Sequence, residues 1–238
     1  NCIVIVCSNR RFGINYIREN YPKTDVIIMD DGFQHRWVKA GLYIILNDYN
    51  NHTYNDKILP LGRLREFTKG LSRADIIITT KCPEEIDIKE KEKIIQKLHI
   101  TENQKSFFSR INYQIIESIF DNKKTIQLSK ELDVLLITSI AKPDLLVNKI
   151  DEEVKSFTYL RFKDHHIYTQ KDINHILDKF NKIKSDKSVI LTTEKDKVKL
   201  ENFNIDLKDI DIYFIPINII IDNKKEFKKE ILQYVESN

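Results

Sequence analysis

At 238 residues, 41% hydrophobic and 32% charged, the chain has the makeup of a soluble globular protein, with room for one large domain or two small ones. Its 39 basic and 36 acidic residues leave a net charge of +3, a mixed surface that gives no support to nucleic-acid binding but allows basic patches at a membrane surface. No apolar run approaches the roughly 20 residues of a membrane span, and Cys2, Cys7 and Cys82 form neither a complete disulfide set nor a C-x-x-C site, which fits a reducing cytoplasm.

In chain order, the first part alternates strand and helix signals, as a parallel sheet with crossovers does. Residues Cys2–Cys7 read as a strand, Gly13–Asn20 as a short helix, and Val26–Met29 as a buried strand. Tyr43–Leu46 and Ile76–Thr79 are two more strands. Pro83 then opens a polar helical run over Glu84–Leu98, with Ile86, Ile88, Ile94, Ile95 and Leu98 as its apolar positions. Lys105–Tyr113 and Lys124–Leu128 are β-prone and flank the turn signal Asp121–Lys124, which suits a two-stranded ribbon. A second α/β unit follows: strand Val134–Thr138, helix Asp144–Glu153 opened by Pro143, strand Phe157–Phe162, helix Gln170–Lys182, strands Val189–Thr192 and Ile212–Ile215, and a closing helix Phe227–Val235. The expected fold class is α/β, two lobes with mostly parallel sheets. The expected division is a partial nucleotide-binding lobe at 1–104, a two-stranded linker at 105–130 and a C-terminal α/β lobe at 131–238.

The most informative stretch is Asp30-Asp31-Gly32-Phe33-Gln34-His35, directly after the apolar run Val26–Met29. Open α/β sheets place ligands at the carboxyl ends of their strands. Two acids at such an end, followed by a glycine that frees the backbone, have the shape of a Walker-B element, whose acid holds the magnesium of a bound nucleotide. The alternative is an ordinary Asp-Asp-Gly turn. An amide and an imidazole directly after the acids favour the ligand reading.

Asp30–Arg36 resembles the signature of the tetraacyldisaccharide 4'-kinase (lipid A 4'-kinase) family. Further segments match that family in order: Leu59-Pro60-Leu61-Gly62-Arg63-Leu64-Arg65-Glu66, Arg73-Ala74-Asp75 with Ile76–Lys81, Ile140–Pro143, Phe162-Lys163-Asp164-His165-His166, and Thr192–Asp196. The resemblance implies a P-loop-NTPase-like first lobe, a β-ribbon linker and a cleft between lobes. It also implies transfer of the γ-phosphate of ATP, with Mg2+, to the 4'-hydroxyl of a lipid A disaccharide 1-phosphate precursor, at the cytoplasmic face of the inner membrane. No G-x-x-x-x-G-K-[ST] loop occurs, all five glycines lie in the first 70 residues, and Asn1 leads straight into a strand. The expectation is therefore a fragment, inactive alone. Its missing front would hold the phosphate loop, a further catalytic Asp and a membrane-associating helix.

Asp30 and Asp31 suit magnesium, which takes hard oxygen ligands and keeps several waters. Adjacent side chains on an extended segment diverge, so one serves the metal, with a lean to Asp31. Gln34 and His35 could bond phosphate or sugar oxygens, or simply close a turn. Arg65 and Glu66 could form a phosphate clamp with a supporting acid, or a plain surface ion pair. Where the family has prolines, Arg63 and Phe67 stand. The resemblance implies that His165 helps a catalytic Asp activate the sugar hydroxyl; otherwise Asp164 caps a turn with exposed histidines. Thr193 reads as the N-cap of the next helix, with Asp196 three residues on, and Lys195 stays open as a phosphate contact. Rival readings are a non-catalytic α/β binding module and another Mg-dependent phosphotransferase or phosphohydrolase.

Overall fold

The computed structural model describes residues 2–237 apart from Arg63, Phe67, Asn122, Lys184 and Asp186. The first residue and both departures from the family's loop prolines therefore lie outside the described residues. The chain divides into two compact units, residues 1–111 with 219–238, and residues 112–218.

The first unit opens with α1 (Arg10–Asn20), whose N-cap Asn9 accepts a hydrogen bond from the Phe12 amide. Strand β1 (Ile44–Asp48) is followed by β2 (Ile76–Thr80), α2 (Ile88–Lys97) and β3 (Lys105–Tyr113). In the second unit come β4 (Ile116–Ser118), β5 (Thr125–Ile126), β6 (Asp133–Thr138), α3 (Asp144–Glu153), β7 (Ser156–Arg161) and α4 (Gln170–Phe180). They continue with β8 (Ser188–Thr193), α5 (Glu194–Leu200), α6 (Asn204–Leu207) and β9 (Ile212–Ile215). Strand β10 (Ile217–Ile221) and helix α7 (Lys224–Glu236) complete the chain. The fold class is α/β with parallel-rich sheets. Among the described residues no helix is long and apolar enough to cross a membrane.

The first sheet has the order β1-β2-β3-β10. Its β1–β2 and β2–β3 pairs are parallel, with Ile44 opposite Ile76 and Ile76 opposite Lys105. Alternation sends β2 side chains to both faces. Ile77 and Phe108 meet Ile94 of α2 on one face, while Ile76, Ile78 and Phe107 meet Phe227 and Ile231 of α7 on the other. The second sheet has the order β5-β4-β9-β8-β6-β7 and is parallel from β9 to β7. Every position of β6 is buried, because the strand has a neighbour on each side and helices on each face. Leu135 and Ile137 pack with Ile173 and Ile176 of α4; Val134 and Leu136 pack with Leu146 and Ile150 of α3.

Several expectations need correction. Residues Cys2–Cys7 and Val26–Met29 are not strands; Val26 is 45% and Ile28 89% exposed. A strand acquires its hydrogen bonds from a neighbour, and an apolar run specifies burial without naming that neighbour. Helix α2 starts at the cap Asp87, whose carboxylate accepts from the Lys89 amide, and not at Pro83. The ribbon of Lys105–Tyr113 with Lys124–Leu128 does not form: β3 runs parallel to β2, and Thr125–Ile126 pairs with β4. Finally, α7 groups with the first unit, not with the 131–238 segment.

Candidate functional site

The Asp30–Arg36 segment lies on exposed turns and not at the end of a strand, so the strand half of the Walker-B expectation is not met. Asp30 is exposed. Asp31 has a φ of 48°, in the left-handed region that Asp tolerates better than most residues. Gly32 sits where a Cβ would come within 2.8 Å of the Met29 Cβ, so a side chain there would force the turn apart. The His35 amide donates to the Gly32 carbonyl at 3.0 Å and closes the turn.

Two of the predicted residues from the downstream loop come to this turn. Arg65 Nη1 donates to Asp31 Oδ2 at 3.2 Å. Glu66 accepts from Arg36 Nη2 at 2.6 Å and from Arg73 Nη2 at 2.9 and 2.7 Å. Arg65 and Glu66 are thus each tied to the Asp30–Arg36 segment, a different arrangement from a plain ion pair in the loop. Arg73, at the end of the 3-10 turn Thr68–Arg73, also lies over the Phe33 ring, 4.0 Å from its centroid, and reaches the Phe33 carbonyl at 3.4 Å. Phe33 in turn meets Tyr43 edge to face at 5.7 Å. The Tyr43 amide donates to Asp75 Oδ2 at 2.7 Å, which links the turn to the start of β2. Arg73 thus joins Glu66 to the Phe33 ring, while Arg65 and Glu66 tie the downstream loop to the turn through Asp31 and Arg36.

Sequence reasoning gave no role to Arg73 or Phe33. The signal was available, since Arg73 heads the Arg-Ala-Asp segment and Phe33 sits between the acids and the amide. Gln34 is exposed, and its carbonyl accepts from the Arg36 amide at 3.0 Å. His35 is half-buried and lines an open cleft of about 450 Å3 together with Asn9, Arg10, Arg11 and Trp37. Among the described residues no group of three or more His, Cys, Asp or Glu is arranged to hold a metal ion.

In the second unit, His165 also has a left-handed backbone, φ 57°, and its side chain is 87% exposed. Its amide donates to the Ser139 carbonyl at 3.2 Å and to Asp164 Oδ1 at 3.1 Å, so Asp164 does act as a local cap. His166 is half-buried, stacked on Phe162 at 4.9 Å, with Nε2 3.0 Å from Asp172 Oδ2. Hydrogen bonds from Thr169, then burial working the other way, set the Asp172 carboxyl below its usual range, with His166 helping to lower it. Thr193 caps α5 as expected, accepting from the Asp196 amide at 3.3 Å. Lys195 is exposed on that helix.

Residues 1–236 match the family model described as tetraacyldisaccharide-1-P 4'-kinase. Among curated relatives, a tetraacyldisaccharide 4'-kinase of Bacteroides fragilis is 37% identical over 228 residues, covering 91% of this chain and 60% of its own length. One from Flavobacterium psychrophilum is 37% identical over 244 residues, covering 100% of this chain and 67% of its own. The chain thus spans about three fifths of the Bacteroides fragilis relative it matches. The crystal structure of LpxK from Aquifex aeolicus in complex with ATP shares the fold, with a TM-score of 0.62 at 20% identity, over 96% of this chain and 64% of that one. A match along nearly the whole sequence leads to one conclusion: the chain belongs to the tetraacyldisaccharide-1-P 4'-kinase family.

Proposed function

We propose that the protein containing this chain transfers the γ-phosphate of ATP to the 4'-hydroxyl of a tetraacyldisaccharide 1-phosphate, a lipid A precursor. One observation carries the reading: Arg65 and Glu66 meet Asp31 and Arg36 from some thirty residues away, so two family motifs build one charged surface. Phosphoryl transfer asks a protein chiefly for positioning and charge neutralisation, and that surface offers both. Arg65 and Arg36 present N–H donors suited to phosphate oxygens, and Glu66 orients Arg36 and Arg73.

Asp30 and Asp31 would hold Mg2+. Their exposed carboxylates fit an ion that needs one or two protein oxygens and otherwise keeps water and phosphate ligands. When bound, the ion neutralises charge on the phosphate oxygens. Gln34 and His35 bond acceptor oxygens. His165 takes the proton of the acceptor hydroxyl, work for which an imidazole is suited. The acceptor is a lipid, so the protein works at the cytoplasmic face of the inner membrane, bound peripherally. Lys224, Lys225, Lys228 and Lys229, exposed on α7, suit attraction to anionic headgroups.

The test is phosphate transfer from labelled ATP to the tetraacyldisaccharide 1-phosphate by the complete protein. Transfer should occur, and Asp31→Ala should lower kcat by about 100-fold or more. A complete, folded protein that leaves the acceptor unlabelled would overturn the reading.

A further inference from the structure

Asp196, on the first turn of α5, is fully buried. A carboxylate so placed is costly unless charge and hydrogen bonds surround it. Here Oδ2 accepts from the Ser139 amide at 2.8 Å and from Thr193 Oγ1 at 2.9 Å. Oδ1 accepts from Ser139 Oγ and from Lys199 Nζ, the latter at 3.1 Å. Lys199 Nζ also donates to Ser139 Oγ at 2.6 Å. Ser139, the residue after β6, is itself buried and is therefore held on its amide and its hydroxyl at once.

What remains of Ser139 is its carbonyl, and this accepts the His165 amide at 3.2 Å. One step earlier, the Thr138 carbonyl accepts from Phe162 at 2.9 Å, so the end of β6 grips the segment that leaves β7 at two successive points. His165 needs such a grip. A non-glycine residue at φ 57° persists where its surroundings determine the backbone.

We propose that Asp196 is a positioning residue for His165: it fixes Ser139, and the Ser139 carbonyl fixes the left-handed turn that presents the imidazole. The inference rests on the reading of His165 as proton acceptor given under Proposed function.

The test uses the complete protein with His165→Ala, Asp196→Asn, Ser139→Ala and the double variant of His165 and Asp196. His165→Ala should lower kcat about 100-fold, within the usual range for a general base. Asp196→Asn should lower kcat about 10-fold, with KM for ATP within about twofold of the parent, and should add less than about twofold once His165 is gone. Hydrogen exchange at the His165 amide should also quicken by about 10-fold in Asp196→Asn, as local opening becomes easier. Parental kcat and exchange in Asp196→Asn, or a loss that multiplies in full with that of His165→Ala, would overturn the proposal. If Asp196→Asn does not fold, Ser139→Ala, which deletes the hydroxyl and keeps the carbonyl, enters the same cycle with the same expected losses. If His165→Ala keeps parental kcat, the reading of His165 as proton acceptor falls. The exchange rate in Asp196→Asn then decides the positioning separately.

Discussion

Glu66 accepts from Arg36, thirty residues before it, and from Arg73, seven residues after. Its side chain is 21% exposed and that of Arg73 32%, so the pair is shielded enough to matter and wet enough to be screened. Glu66→Ala should therefore cost about 1–2 kcal/mol in urea unfolding, below the full value of a charged hydrogen bond. Glu66→Gln, which keeps an acceptor, should cost less. Asp133 gives a pH dependence of definite sign. A hydrogen bond from Ser156, then one from Ser185 and one from Lys155, lower its carboxyl to about 2 from an ordinary 3.8. In the unfolded chain the group takes up a proton near its ordinary value, so the unfolded state binds more protons over that interval. The stabilisation is complete above about pH 5 and is lost as the pH falls through 3.8 toward 2. Asp133→Asn should flatten the acid limb of stability against pH between those values, as thermal unfolding across that range would show.

Among the elements, those with their own local signals were legible from sequence. Helix α3 runs over Asp144–Glu153, as Pro143 indicated, and α5 begins at the Thr193 cap. Strands rich in Ile, Leu and Val that lie inside a sheet, such as β6 and β8, were equally plain. The stretch Val26–Met29 has the same composition and is not a strand, because pairing depends on residues far away in sequence. The short strand β4 and the partners of β3 and β5 were hidden for the same reason. Helix α4 shows what a local signal contributes. Thr169 and Asp172 form a reciprocal capping box, each side chain bonding the other's backbone amide. Thr169→Ala should lower stability by about 1 kcal/mol, while changing Gln170, beside it and exposed, should leave the melting temperature within a degree or two.

At the scale of the whole molecule, the alternation of strands and helices was enough to give the fold class. The candidate site was half legible: the acids and the Arg65-Glu66 pair stood out as motifs, whereas Arg73 and Phe33 gain meaning only from the contact that assembles them. The boundary between units was the least legible feature, since α7 returns to a sheet begun about 180 residues earlier, at Ile44. Residues 112–218 are thus an uninterrupted insertion within a unit whose two pieces flank it. This has a consequence for biosynthesis. On the ribosome, the inserted segment is entire before most of β10 and all of α7 have been translated, so it can reach its native state while its host still lacks that strand and helix. Released nascent chains stopped shortly after residue 218 should therefore resist protease over 112–218 and be cut readily before 111. Uniform digestion of both regions would show that the host and its insertion fold only together.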